Sequence, residues 1–202
     1  MNSAVSSLIS PNVASLVSSP GQLLAIDERR KSGLILCKEH HAEFVGPGSA
    51  IAVQNEQNYK AIIAIGSPEL LAVNSSSDRA KAYGLRIQWS RWLHRIADHP
   101  DSTTRVERLF AGLEGFFSRQ VVMSLPVEVL ASLVGVFPQT VARVREDFFA
   151  QANNTAYLFP PESLKVTVIL VENSNPKLVE MPLNRGATMK EIQHTYALLR
   201  SA

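Results

Sequence analysis

The sequence predicts an α+β fold: a small β-rich N-terminal domain, a long amphipathic helix, then a C-terminal winged helix-turn-helix with an extension behind it. Three observations carry this expectation. Short apolar runs broken by turn residues extend from Gly21 to about Val73. A single apolar stripe, Leu85, Trp89, Trp92, Leu93 and Ile96, recurs at helical spacing between Asp78 and Ala97. Finally, Leu125–Glu146 arranges apolar residues around Ala131, Gly135 and Pro138 in the spacing of two short helices meeting at a corner. The expected division is a flexible segment over 1–20, a β-rich domain over 21–76, a long amphipathic helix over 77–99, a helix-turn-helix domain over 100–160, and wing-like strands with a terminal helix over 161–202.

The strands are expected at Leu23–Ile26, Gly33–Cys37, Ala50–Val53, Ala61–Ile65 and Leu70–Val73, with Gly46-Pro47-Gly48 and Gly66-Ser67-Pro68 among the turns between them. Ser75-Ser76-Ser77 supplies hydroxyls to cap the helix of Asp78–Ala97. Arg86, Arg91 and Arg95 form the polar side of that helix, and Pro100 ends it. The stripe itself needs a partner, either a second copy or the β-rich domain. A second helix is expected from about Ser102 to Ser118, burying Val106, Leu109, Phe110, Leu113, Phe116 and Phe117, with Thr104 and Glu107 as a capping box. Gln120–Met123 is expected to be extended and to lead into Ser124 as the cap of the next helix.

The corner follows from local sterics. Leu130, Val134, Val141 and Val144 face one another, and Ala131 is small enough to let the backbones approach. Gly135 takes the left-handed turn position, cheap only without a Cβ. Pro138 suits the first turn of the following helix, where its missing amide would have had no intrahelical partner. Further on, Lys165–Val171 and Lys177–Met181 flank Glu172–Pro176 as a hairpin, placed as the wing, and Thr188–Leu199 is expected to be a last helix.

With 46% hydrophobic and 19% charged residues in 202, the composition is that of an ordinary globular chain rather than a disordered one. A net charge of +2 neither requires nor excludes nucleic acid. The lone Cys37 can form no internal disulfide and no Cys-rich metal centre, so a reducing cytoplasm is the expected compartment. No apolar run reaches membrane-spanning length and no secretory leader is visible, so no membrane partner is expected. His40-His41 beside Glu39 and Cys37 matches no structural zinc spacing, and a solvated turn is expected there. No nucleophile, carboxylate-pair, Walker or dinucleotide signature is present. Neither enzymatic activity nor a cofactor or metal is expected.

The candidate chemistry lies on the second helix of the corner. Gln139 and Arg143, four residues apart, project from one face and offer bidentate groups to adenine and guanine edges. Pro138 starts the same helix, while Thr140, Ser124 and Arg145 are candidates for phosphate oxygens. Between Thr103 and Glu146, five arginines are nearly matched by four glutamates, so non-specific affinity for DNA should be modest.

The stretch Leu85–Glu146 resembles the C-terminal half of the Crp/Fnr family of transcription regulators. The likeness lies in the order of elements and in Leu133-Val-Gly-Val-Phe-Pro-Gln-Thr-Val-Ala-Arg-Val144, which is similar to the family's glycine turn and Thr-Val-x-Arg core. The resemblance implies a β-roll-like sensory domain, a homodimer joined through Leu85, Trp89, Trp92, Leu93 and Ile96, and binding to a palindromic site on double-stranded DNA, with RNA polymerase or another protein as a further partner. The family's Gly-Glu and Arg phosphate cassette is not visible between Gly21 and Val73. The competing reading is a non-enzymatic adaptor that binds a protein partner and keeps the helix-turn-helix as scaffold.

Overall fold

In the computed structural model, which describes residues 23–51, 59–152, 166–172, 175–177 and 190, the N-terminal apolar runs are short antiparallel strands. They are β1 (Leu24–Ile26), β2 (Gly33–Cys37), β3 (Ala42–Val45), β4 (Ala50–Ile51), β5 (Ala61–Ile65) and β6 (Leu70–Ala72). The helices α1 (Ser76–Ala97), α2 (Ser102–Phe116), α3 (Arg119–Ser124), α4 (Val127–Val134) and α5 (Pro138–Ala152) follow, and then β7 (Val166–Glu172) and β8 (Asn175–Lys177). The fold is mixed α+β, with antiparallel sheets ordered β4-β1-β6 and β3-β2-β5-β7-β8.

Every residue of β2 and β5 is buried because the five-stranded sheet is covered on both faces. Ile35, Ile63 and Ile65 point into the core shared with the helices, while Leu34, Leu36 and Ile62 join Leu24, Ile26 and Ile51 in a second core beneath the small sheet. Burial on both sides explains why these strands read as continuous apolar runs rather than as an alternation. Each such side chain contributes about 1.5–3 kcal/mol by leaving water.

Local capping sets the helix limits. The Ser75 hydroxyl accepts from the Asp78 amide at 3.0 Å, as expected for α1. At α2 the cap is Asp101, one turn earlier, whose carboxylate accepts from the Thr104 amide at 2.6 Å, so Thr104 lies inside the helix and the capping box expected from Thr104 and Glu107 is replaced by a simple side-chain cap. The segment Gln120–Met123, expected to be extended, is instead helical within α3 and is capped by Ser118. Val121, Val122 and Met123 are all buried, and three consecutive apolar residues carry no periodicity with which to tell a short helix from a strand.

Two corrections concern long-range placement. The strand expected at Lys165–Val171 does form, but it pairs antiparallel with β5, Ile63 opposite Val168, and so belongs to the N-terminal sheet rather than to a wing. Val166 and Val168 are buried in the core beneath the helices, which gives β7 its reason to lie there. The stripe read as a dimer seam is likewise used within the chain. Trp89 and Trp92 meet the Phe44 ring of β3 edge-on at 5.3 and 5.8 Å, and Leu93 and Ile96 are buried in the same core. Gly46 and Gly112 leave the slots that the two indoles fill: a Cβ would stand 2.2 Å from the Trp89 ring at the first and 2.5 Å from that of Trp92 at the second. Leu85 lies over Gly48 in the same way. The large apolar residues that α1 leaves exposed are Tyr83 and Ile87, each at 50%.

No single helix among the described residues is long and apolar enough to cross a membrane. The N-terminal segment 1–20, most of the strand expected at Lys177–Met181 and, apart from Lys190, the helix expected at Thr188–Leu199 lie outside the described residues.

Candidate nucleic-acid interface

The axes of α4 and α5 turn by 110° across a three-residue break, within the range of helix-turn-helix corners. Gly135 sits at φ 63°, ψ 48°, the left-handed conformation predicted for it. Its amide and that of Val136, the latter at 3.1 Å, both donate to the Ala131 carbonyl and so satisfy the end of α4. Pro138 is the first residue of α5, and the Phe137 carbonyl accepts from Thr140 at 3.0 Å. Leu130, Ala131, Val134, Val141 and Val144 are buried across the corner, so its inner side is sealed.

The outer side is open. Gln139 and Arg143 are exposed together on α5, and Pro138 and Thr140 are half-buried in its first turn. Arg143 reaches back to the Thr103 hydroxyl at 3.3 Å, a contact to the start of α2 that holds its guanidinium near the corner. Phe137, at the position where the resembled family commonly has a hydroxyl residue that touches phosphate, is 78% exposed directly before α5.

Ser124 and Arg145 do not join this face. Ser124 is buried at the end of α3, its hydroxyl donating to the Val121 carbonyl at 2.9 Å, and the position before α4 is Pro126, with no side-chain cap. Arg145 is buried and donates to the Leu125 carbonyl at 2.6 Å. Burial pulls its pKa down to about 10, against the opposing influence of Glu128, so it remains charged at neutral pH. A second arginine that sequence reasoning missed, Arg105 on α2, donates from Nε to the His99 carbonyl at 2.5 Å and from Nη1 to the Gly135 carbonyl at 3.3 Å. Gly135 lies thirty residues away, so no local pattern announces the contact.

The charge on this face is mixed: Glu146 and Asp147 are exposed one turn beyond Arg143, which limits attraction to phosphate. Among the described residues no group of three or more His, Cys, Asp or Glu is placed to hold a metal. Glu39 pairs instead with Lys60 at 3.1 Å. Cys37 is buried, and desolvation pushes its thiol up to about 12, leaving almost no thiolate at neutral pH. It should therefore react with a thiol-modifying dye only after denaturant is added; rapid labelling of the folded protein would contradict that placement.

No family model and no curated protein matches the chain.

Proposed function

We propose that the chain is a sequence-specific DNA-binding regulator that inserts α5 into the major groove and acts as a homodimer on a palindromic duplex. The observation that carries this reading is a sealed 110° corner whose second helix presents Gln139 and Arg143 outward together. The resemblance of Leu133–Val144 to the Crp/Fnr recognition motif points the same way. In this reading Arg143 pairs with a guanine edge, Gln139 with an adenine edge, Thr140 with a phosphate, and Phe137 with a thymine methyl group. Because the tryptophan stripe is occupied within the chain, a second copy would meet α1 on its other side, where Tyr83 and Ile87 are exposed. Two reading helices would then stand about 34 Å apart on one face of the duplex.

The test is a mobility-shift assay on genomic fragments at fixed salt, comparing the wild type with Arg143→Ala. The variant should lose about 1–3 kcal/mol, roughly 5- to 150-fold in affinity for the selected site, with relaxed preference at one base position. Full retention of sequence preference would remove Arg143 from the reading face. If the wild type selects no fragment at all, the DNA-binding reading falls.

A further inference from the structure

We infer that the cleft between β3, α1 and the helix-turn-helix corner binds a small organic oxyanion, a phosphate or carboxylate compound, and that its occupancy governs the corner through Arg105. Only the regulatory half of this inference rests on the DNA-binding reading.

The cleft encloses about 540 Å³, a volume suited to a small metabolite. Three separate parts of the chain wall it: the β2–β3 turn and β3, the middle of α1, and the corner itself. Its polar side is rich in hydrogen-bond donors, with two guanidinium groups and three imidazoles. Among the described residues, Arg86, Arg105, His40, His41 and His94 line it against a single carboxylate, Glu43. That carboxylate is already engaged by Lys38 at 2.5 Å, by Arg86 and by His41 at 3.5 Å. Burial pushes Glu43 up, but the Lys38 hydrogen bond, the Arg86 and Lys38 charges and the His41 hydrogen bond together hold it below the ordinary carboxylate range. It therefore stays ionised as an internal counter-ion; no second carboxylate lines the cleft, and the carboxylate that Arg105 does feel, Asp101, stands outside it at the cap of α2, bonded to the Thr104 amide. Phe44, Leu93 and Val134 supply an apolar wall, which favours an organic anion over a bare inorganic one.

Arg105 couples the site to the corner. Its two donated hydrogen bonds go to neutral carbonyls, and the one to Gly135 is long at 3.3 Å. An oxyanion would offer the guanidinium charge-assisted, bidentate bonds of roughly twice the strength. The occupant thus competes with the Gly135 carbonyl for the side chain that ties the start of α2 to the turn. Arg86, which lines the same cleft and donates to the Phe44 carbonyl at 2.9 Å, would let a ligand that reaches both guanidinium groups join the sheet to the reading head.

Calorimetric titration of the full chain with pyrophosphate and with citrate, at ionic strength matched with sodium chloride, tests the site without any DNA. Saturable binding of either probe at one per chain is expected, and which probe binds distinguishes phosphate from carboxylate chemistry. Arg105→Gln and His94→Gln should each weaken binding at least about tenfold, the worth of one hydrogen bond to a charged group. Lys81→Gln, on the exposed side of α1 away from the cleft, should leave it unchanged. His94 is itself exposed, so its variant keeps the test decisive if Arg105→Gln misfolds. Absence of saturable binding for both probes, or binding indifferent to His94→Gln, overturns the site. Amide exchange at Gly135 and Val136 then reads the coupling on the free protein. Several-fold faster exchange on saturation is expected, and unchanged exchange overturns the regulatory half even if a mobility shift upholds DNA binding.

Discussion

Phe44→Ala should cost about 3–5 kcal/mol, the largest loss expected of any single substitution in this chain. The ring is 2% exposed and stands where the sheet meets the helices, 5.3 Å from Trp89, 5.8 Å from Trp92 and 5.9 Å from Phe117, all edge-on. Each such pair contributes about 0.5–1.5 kcal/mol beyond burial. The space left behind should not collapse, because both indoles are fixed by other contacts. Trp89 donates to the Pro47 carbonyl at 3.2 Å and fills the slot at Gly46, and Trp92 fills the slot at Gly112. Urea unfolding should show a lower midpoint with an unchanged slope, and the near-ultraviolet dichroism of the tryptophans should weaken in the folded variant. A loss below about 1 kcal/mol would mean that the indoles repack into the vacancy and that the cluster is not fixed by its glycine slots.

The same cluster shows where sequence patterns carry structural information and where they stop. The stripe Leu85, Trp89, Trp92, Leu93, Ile96 announces that α1 must bury one face, but periodicity does not say against what. The answer lay in Gly46 and Gly112, whose missing side chains open slots for the indoles from other parts of the chain. Likewise Val166–Val171 reads correctly as a strand, yet its choice of β5 as neighbour is a long-range matter of which sheet edge has an apolar face to complete. Gly135 and Pro138 were legible because their backbone demands are local: a left-handed φ and an orphaned amide have the same consequences in any fold. Thus the corner and its outward face could be foreseen, whereas the cleft walled by β3 and α1 could not, since it exists only once the sheet and the corner are brought together.

Arg145 was open to a finer reading. It lies one residue beyond the buried Val144 and four beyond the buried Val141, so at about 100° per residue its Cβ falls toward the inner side of α5, whereas Arg143 falls outside. Arg145→Ala should accordingly lower stability by about 2–4 kcal/mol, combining the lost hydrogen bond from a charged donor with the packing of its aliphatic stem. At 6% exposure the side chain is well screened from water, and its bond to the Leu125 carbonyl pins α5 to the joint between α3 and α4. Arg145→Met should recover part of the loss, because it keeps the stem and removes a charge whose burial is costly; the Nε of Arg145 has no hydrogen-bond partner among the described residues. Urea denaturation measures the stability term, and the salt dependence of DNA binding separates it from a phosphate contact. A lost phosphate contact lowers the slope of log affinity against log salt by about 0.9. For Arg145→Met the slope should stay that of the wild type while the unfolding free energy falls. A lower slope with unchanged stability would return Arg145 to the nucleic-acid face and place α5 in a different rotation from the one that buries Val141 and Val144.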